Sequence, residues 1–267
     1  MLAFHHIILI ALIQGITEFL PVSSSGHLVL LPALTGYEDQ GQLIDVAAHI
    51  GTLGAVCLYF WRDCWQITLG MFGLGMNAVV NRRLGWLIVL ASLPVMAAGI
   101  VVEMLDPAIL RLAATVAIAN IIFALWLYRA DKSSTDKTLE GLTIRDAVKI
   151  GCAQILALIP GTSRSGVTMT MGRQLGYDRL SVARFSLLLS IPVILAAGAV
   201  KTKSALDSPD LAMTNDAVLV AILSFATALI AIRLMMGWLA KADFRIFVIY
   251  RLILGAGLIA ALAIGVI

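Results

Sequence analysis

Long apolar runs, separated by short polar segments, are the dominant pattern along this chain of 267 residues. Because the runs are continuous and do not alternate with polar positions, they predict helices rather than the strands of a transmembrane barrel. A helix needs about 20 residues to cross the hydrocarbon core of a bilayer. Runs close to that length predict six full spans, at residues 43–61, 84–104, 110–128, 181–200, 216–238 and 246–266.

Four other apolar runs are too short to cross a membrane, and they form two pairs. The first pair covers residues 7–20 and 27–35, and the second covers residues 147–159 and 167–176. Each pair predicts a re-entrant helix-loop-helix, because non-helical backbone at membrane depth is tolerated only inside protein or beside a wet cavity. The most polar stretch, residues 129–146, is predicted to be a solvated loop.

Two polar segments divide the pairs, and we name them the first break (Pro21–Gly26) and the second break (Pro160–Gly166). At a fixed offset of 140 positions, residues 10–37 match residues 150–177 without a gap. Three spans follow each pair, and an odd number reverses the direction of the second half, so we expect an inverted repeat with facing breaks. The seven identities are Ile10/Ile150, Gln14/Gln154, Ser23/Ser163, Ser25/Ser165, Gly26/Gly166, Gly36/Gly176 and Tyr37/Tyr177.

The predicted fold class is thus an all-α integral membrane protein. Composition agrees, since 60% of the residues are hydrophobic and 13% are charged, against roughly 25% charged in soluble domains. We expect a single membrane domain over residues 1–267, with pseudo-repeats at about 1–130 and 140–267. The net charge of +3 is too small to indicate a nucleic-acid partner.

The distribution of basic residues predicts the orientation of this layout. Thirteen Lys and Arg residues fall on one face and three on the other, so the first face is expected to be cytoplasmic. Both termini and the mouth of the first re-entrant pair would then face outward. The minority face carries Arg111, Lys201 and Lys203.

The second break contains Arg164, the one basic residue predicted at membrane depth rather than near the end of a span. A guanidinium there needs an anionic partner, either a structural ion pair with Glu18 or a ligand. Arginine suits phosphate because its planar fork donates two parallel hydrogen bonds. Ser163-Arg164-Ser165-Gly166 also opens a helix, whose first amides favour an anion.

The first break offers hydroxyls and a carboxylate. Ser23-Ser24-Ser25-Gly26 precedes a helix from about His27, while Glu18 lies one turn after Gln14 on the preceding helix. A carboxylate beside a phosphate site can ligate a divalent cation or act as a general base, and a serine near it can act as a nucleophile.

The residues Gln14–His27 (QGITEFLPVSSSGH) and Pro160–Gly166 (PGTSRSG) resemble the two signature motifs of the undecaprenyl-diphosphate phosphatase family, the bacitracin-resistance proteins of bacterial membranes. The resemblance extends to Asp45–Thr52 and to Ile249-Tyr250-Arg251. It implies hydrolysis of undecaprenyl diphosphate to the monophosphate carrier reused in cell-wall synthesis. It also implies an inverted repeat, a location in the bacterial plasma (inner) membrane, a polyprenyl diphosphate substrate among membrane lipids, and a divalent cation, Mg²⁺ or Ca²⁺.

The resemblance also implies roles for individual residues. Glu18 would be the essential carboxylate, Ser24 the nucleophile and Arg164 the phosphate clamp. His27 would either take part in catalysis, or cap the second short helix or contact the polyprenyl phosphate. Glu18 is the expected metal ligand; Gln14 is a weaker candidate, because it offers a neutral carbonyl where the family often has a second glutamate. The expected substrate-binding residues are Ser23, Ser25, Gly26, Ser163, Ser165, Gly166 and Thr168.

Some alternatives stay open from the sequence. Broken helices in an inverted repeat are also transporter architecture, so a carrier or flippase for a lipid phosphate or another anion is the rival function. Water could attack phosphorus with Ser24 only binding. Arg251 is expected to snorkel or to pair structurally, and His49 to make a helix–helix hydrogen bond or to support the site. A homodimer is compatible with the sequence but is not indicated by it.

Overall fold

The computed structural model describes residues 3–24, 26–28, 31, 36, 41–105, 107–206 and 211–265. Ten α-helices with both ends described lie within these residues, together with short 3₁₀ turns at Ala108–Arg111, Leu139–Gly141 and Ile155–Leu158. The α-helices are α1 (Phe4–Thr17), α2 (Gln42–Tyr59), α3 (Trp61–Met71), α4 (Ala78–Leu105), α5 (Ala113–Ala130), α6 (Ile144–Gln154), α7 (Arg164–Gln174), α8 (Arg179–Leu206), α9 (Leu211–Leu239) and α10 (Arg245–Ala263).

Six of the described helices are long and apolar enough to cross a membrane, and they confirm the number and order of the predicted spans. The helix bounds agree with the prediction to within a few residues except at two ends: α4 begins at Ala78 rather than near residue 84, and α8 ends at Leu206 rather than near residue 200. The chain is therefore a multi-pass membrane protein. The spanning segments are Gln42–Tyr59, Ala78–Leu105, Ala113–Ala130, Arg179–Ala199, Asn215–Leu239 and Arg245–Ala263.

The short apolar runs form short helices. α1 has 14 residues, and α6 and α7 have 11 each. At about 1.5 Å per residue, none of them reaches the roughly 30 Å of a hydrocarbon core. In the run predicted at residues 27–35, only residues 27, 28 and 31 are described; residues 24 and 26–28 are helical, so this helix begins before His27.

One helix was not predicted from the sequence, and one local prediction was wrong. The connection between the first two spans contains the helix α3, whose Trp61 and Trp65 side chains are exposed, as suits a membrane interface. The polar stretch at residues 129–146 is partly buried rather than fully solvated. Asp131 in this stretch is 8% exposed and accepts hydrogen bonds from Arg173 and Arg179, which ties the loop to α7 and α8.

The helix contacts have a regular pattern that positions the two breaks. α2 packs on α9 and α8 packs on α4, while α1 packs on α9 and α6 packs on α4. α5 packs on α10, and α7 packs on α5. Apolar side chains fill the interfaces, and a large buried cluster includes Val22 of the first break and Phe19 just before it. The breaks are thus enclosed by protein, as non-helical backbone at membrane depth requires.

Candidate active site

Each break turns at a serine with left-handed backbone geometry. The φ angles are 74° at Ser23 and 72° at Ser163, a conformation that costs ~1–3 kcal/mol for a residue other than glycine. Each serine caps the helix that follows it. Gly26 N–H donates to Ser23 Oγ at 3.2 Å, and Gly166 N–H donates to Ser163 Oγ at 3.1 Å. The two breaks therefore share one local structure, with serine in the N-cap role that it favours.

The two breaks contact each other. A Cβ atom built on Gly26 would lie 3.3 Å from Gly161 Cα and 3.2 Å from a methyl group of Val116 on α5. Ser165 of the second break donates its hydroxyl proton to the Leu20 carbonyl before the first, at 2.8 Å. Residues 145 positions apart in the sequence are thereby brought into contact.

Glu18 is the point at which the polar groups of both breaks meet. Ser24 Oγ–H donates to Glu18 Oε2 at 2.7 Å, and Arg164 Nη2 donates to Glu18 Oε1 at 3.3 Å. Gln14 Nε2 donates to Glu18 Oε2 at 3.1 Å from one turn earlier on α1. The carboxylate is 7% exposed, so these partners replace the water that it has lost.

Arg164 is held at the start of α7, with part of its guanidinium available. Its Nη1 donates to the Ser186 carbonyl on α8 at 3.2 Å, and the side chain is 13% exposed. The contact with Glu18 uses a single N–H rather than the two-pronged fork. A guanidinium held this way at a helix N-terminus can also donate to an oxyanion.

A cavity of about 220 Å³ opens beside this cluster. Its lining combines the polar side chains of both break serines, Ser24, Glu18 and Arg164 with apolar side chains from α2 and α8. Five of the residues singled out from the sequence thus surround one space. The lining residues are Glu18, Ser23, Ser24, Asp45, Val46, His49, Ala157, Ser163, Arg164, Val193, Ile194, Ala197 and Gly198.

Other residues expected to bind substrate lie behind the cavity wall. Ser165 and Thr168 are each 1% exposed, and Gln14, which was expected only as the weaker metal candidate, is fully buried as well. Thr168 Oγ1 lies 2.7 Å from Ser186 Oγ and 2.9 Å from the Arg164 carbonyl. It therefore contacts Ser186, the residue whose carbonyl accepts a hydrogen bond from Arg164. These groups do not line the cavity.

His27 also lies away from the cavity lining. Its Nδ1–H donates to the Ser23 carbonyl at 2.6 Å, and its Nε2 lies 2.5 Å from the Tyr250 hydroxyl. Because a carbonyl can only accept, Nδ1 carries the proton and Nε2 accepts from Tyr250 in the neutral ring. Both ring nitrogens are therefore engaged. Ser25 lies outside the described residues.

The cavity contains two groups to which the sequence gave no main role. His49 Nε2 faces Glu18 Oε2 at 3.8 Å, and its Nδ1–H donates to the Asp45 carbonyl at 2.7 Å. The spacing of one turn between Asp45 and His49 predicts a shared helix face, but the sequence does not show that this face meets Glu18.

The donor set can be compared with the needs of a divalent cation. Glu18 and Asp45 are two carboxylates on one cavity, and Gln14 Oε1 is a buried oxygen without a hydrogen-bond partner. Among the described residues, no group of three or more His, Cys, Asp or Glu side chains could hold a metal ion alone. Mg²⁺ is often bound by one or two carboxylates together with substrate phosphates. The residues therefore fit a cation that shares its ligands with a phosphate substrate.

Comparison with known proteins adds independent findings. A family model described as bacitracin resistance protein BacA matches residues 7–257. A protein from Roseobacter denitrificans named undecaprenyl-diphosphatase is 48% identical over 255 residues, covering 94% of this chain and 95% of its own length. Proteins of the same name from Alteromonas mediterranea and Chromohalobacter salexigens are 43% and 42% identical, over 95% and 97% of this chain and over 96% and 98% of their own lengths.

Proposed function

The chain belongs to the bacitracin resistance protein BacA family, and we infer that it hydrolyses undecaprenyl diphosphate to undecaprenyl phosphate and inorganic phosphate. This reaction returns the lipid carrier to bacterial cell-wall synthesis, and the family name associates it with bacitracin resistance. One observation carries the proposal for the site. Ser24 from the first break and Arg164 from the second both bond to Glu18 at the rim of one cavity.

The proposed chemistry follows from this geometry. Ser24 Oγ attacks the terminal phosphorus in line, and its proton passes to Glu18 Oε2, which already accepts that hydrogen bond at 2.7 Å. The bond between phosphorus and the bridging oxygen breaks, and undecaprenyl phosphate leaves with the proton from Glu18. Water then attacks the phosphoserine, its oxygen leaves in inorganic phosphate, and one of its protons restores the Ser24 hydroxyl. In the alternative route, water attacks directly and Ser24 only binds.

Arg164 supplies positive charge where the phosphoryl oxygens gather charge. Its guanidinium has N–H groups beyond the single one that meets Glu18, and the N-terminus of α7 adds the field of the helix dipole. Binding of a diphosphate would then reorganise one hydrogen bond rather than a bidentate ion pair. The protein contributes mainly positioning and charge stabilisation, as in other phosphoryl transfers.

A divalent cation is proposed as the further partner of the diphosphate. Glu18 and Asp45 would hold it together with substrate oxygens, since the described residues do not form a complete cation site themselves. When bound, the cation neutralises charge on the phosphates. Gln14 directs its amide nitrogen, not its oxygen, to Glu18, so we assign it the role of orienting the carboxylate.

The apolar wall of the cavity accounts for a lipid substrate. Val46 lies on α2, while Val193, Ile194 and Ala197 lie on α8. We assign the polyprenyl chain to this wall, so that it leaves the cavity between two helices of the membrane domain. A cavity lined by both apolar and charged residues suits a ligand with an apolar tail and an anionic head.

The membrane arrangement proposed for the site is an inverted repeat with two re-entrant segments. The helix contacts support it, because the pairs α2–α9 and α8–α4 exchange when the halves are exchanged, as do α1–α9 and α6–α4. The matching φ angles and caps of Ser23 and Ser163 support it as well. The bias in basic residues supports our proposal that the cavity opens outward, and membership of the bacterial family supports a location in the inner membrane.

The test is phosphate release from undecaprenyl diphosphate by purified protein in detergent, where no compartments exist for transport. Arg164→Ala and Glu18→Gln should each lose at least 10²–10³-fold in kcat, the range for removal of one electrostatic group from a preorganised site. Arg145→Ala and Glu103→Gln, which change the same residue types at exposed positions, should retain activity. Full activity in either site variant, or lipid movement across vesicles without phosphate release, would contradict the proposal.

Ser24→Ala separates the two chemical routes. The covalent route predicts that Ser24→Ala loses turnover, because no other group takes the place of Oγ. It also predicts that a phosphoserine can be trapped in the wild type but not in this variant. Near-normal turnover in Ser24→Ala would exclude that route and favour direct attack by water. Mass spectrometry of acid-quenched wild-type enzyme checks for the phosphoserine.

A further inference from the structure

α10 presents two consecutive side chains, Tyr250 and Arg251, to the breaks, and neither lines the cavity. Because adjacent helical residues point about 100° apart, one helix can reach two different targets. Tyr250 reaches the helical residues after the first break, and Arg251 reaches the backbone of both breaks.

Arg251 bonds to carbonyl groups instead of an anion. Its Nη2 donates to the carbonyls of Gly161 and Thr162 at 2.8 and 2.9 Å, and its Nη1 donates to the Pro21 carbonyl at 3.4 Å. The side chain is fully buried, and no carboxylate pairs with it among the described residues. It therefore does not snorkel, and it does not form the ion pair expected for a buried charge.

These carbonyls explain why a buried cation is tolerated. A broken helix leaves backbone carbonyls without helical partners, and such groups are costly when they are buried away from water. Pro21 belongs to the first break, whereas Gly161 and Thr162 belong to the second. One guanidinium therefore satisfies carbonyls of both breaks at once and joins the two backbones.

Tyr250 acts on the first break through a different path. Its hydroxyl lies 2.5 Å from His27 Nε2, and the two rings stack with centroids 5.7 Å apart. His27 in turn donates to the carbonyl of Ser23, the residue with the positive φ angle. Ser23 immediately precedes Ser24, the proposed nucleophile. His27 and Tyr250 therefore stabilise the strained turn that orients Ser24.

We propose that Tyr250 and Arg251 are positioning residues that hold the two half-sites in register for hydrolysis. Arg251 fixes the separation of the breaks, and Tyr250 fixes the direction of Ser24 through His27 and Ser23. His27 is accordingly a positioning residue rather than a general acid or base. This inference rests on the proposed function, because register matters only if Ser24 and Arg164 act on one substrate.

The first test replaces the Tyr250 hydroxyl. Tyr250→Phe keeps the ring stack and removes one hydrogen bond, so kcat for phosphate release from undecaprenyl diphosphate in detergent should fall about tenfold, with KM nearly unchanged. His27→Asn retains a donor near Nδ1 and removes the nitrogen that meets Tyr250, and should behave similarly. Tyr128→Phe, on an exposed tyrosine of α5, is the matched control and should be silent.

A double mutant distinguishes positioning from a general effect on stability. If Tyr250 acts through His27, the pair Tyr250→Phe/His27→Asn should be no worse than His27→Asn alone. Multiplied losses, or a loss in Tyr250→Phe that lies entirely in KM, would overturn the role of Tyr250. Wild-type activity in Tyr250→Phe would overturn it as well.

The second test concerns Arg251. Lysine cannot reproduce the planar fork, so Arg251→Lys should lose about 100-fold in kcat, whereas Arg245→Lys at the exposed start of the same helix should not. Millimolar guanidinium should restore part of the activity of Arg251→Ala, and methylammonium should not. Activity of Arg251→Lys like that of the wild type, or equal response to both cations, would overturn the role of Arg251. If the Arg251 variants do not fold, the Tyr250 tests decide the proposal.

Phosphate release by the wild type distinguishes failure of the positioning roles from failure of the proposed function. Phosphate release by the wild type with the losses above supports both. Release by the wild type without those losses overturns the positioning roles alone. Absence of release by the folded wild type overturns the proposed function, and the positioning roles with it.

Discussion

Gly161 lies where the second break comes closest to α5, and adding one methyl group there should damage both folding and catalysis. Its φ angle is +92°, and a Cβ atom would lie 2.5 Å from the Val116 carbonyl oxygen and 2.9 Å from Val116 Cα. Both neighbours are backbone atoms, so no rotamer change relieves the overlap. Left-handed backbone costs ~1–2 kcal/mol and overpacking ~1–3 kcal/mol, so Gly161→Ala should lose about 2–5 kcal/mol of unfolding free energy.

Catalysis should suffer as well, because the Gly161 carbonyl is one of the groups that Arg251 holds, at 2.8 Å. Relief of the overlap would move the second break, and with it Arg164. A misplacement of about 1 Å can cost roughly 100-fold in rate. The expected result is therefore a lower melting temperature, by about 5–15 °C, together with a lower kcat.

The assay is thermal unfolding in detergent with phosphate release measured on the same samples. The matched control is Gly237→Ala on α9, where no atom lies within 4 Å of the added Cβ, and where alanine should stabilise the helix by up to ~1 kcal/mol. The reasoning would be refuted if Gly161→Ala melted and turned over like the wild type, or if both variants shifted equally.

Three further predictions concern the hydrogen bonds of Asp131, the pKa of Tyr177 and the cation. Asp131→Asn weakens the partner of Arg173 and Arg179 and should lower the unfolding free energy by ~3–5 kcal/mol, measured as an earlier melting transition; an unchanged transition would contradict it. Burial, and then the Asp146 carboxylate, raise the pKa of Tyr177 from 10 to about 12. This stabilisation is complete below pH 10 and lost as the pH rises through 12, so the melting temperature should fall there, but less in Tyr177→Phe; equal pH profiles would refute this. Chelation should abolish phosphate release yet leave the melting temperature unchanged, since no described cluster holds a metal by itself; a large drop would indicate a resident ion.

The spans could be predicted because crossing a bilayer imposes a local requirement. A continuous apolar run of sufficient length is visible residue by residue, and the six described spans match it. The helix α3 was missed because its 11 residues are too short and too polar for that criterion. The burial of Asp131 was missed because its partners, Arg173 and Arg179, lie more than 40 positions later in the chain.

The site could be predicted in part. Glu18, Ser24 and Arg164 drew attention because charged and hydroxyl groups at membrane depth are costly without partners, and the structure brings them to one cavity. Arg251 was misjudged because an arginine near an apolar run has the same local pattern whether it snorkels or is buried. Only its distance from Pro21 and Gly161 separates the two cases.

The sequence by itself determined the chemical groups and the spanning helices, because both depend on residue type and on neighbours within a few positions. The tertiary structure alone decided which groups share a cavity. Glu18 meets Arg164 across 146 positions, and His27 meets Tyr250 across 223. Such contacts depend on how the helices pack around the breaks. That packing must give every buried backbone carbonyl of the breaks a hydrogen-bond donor.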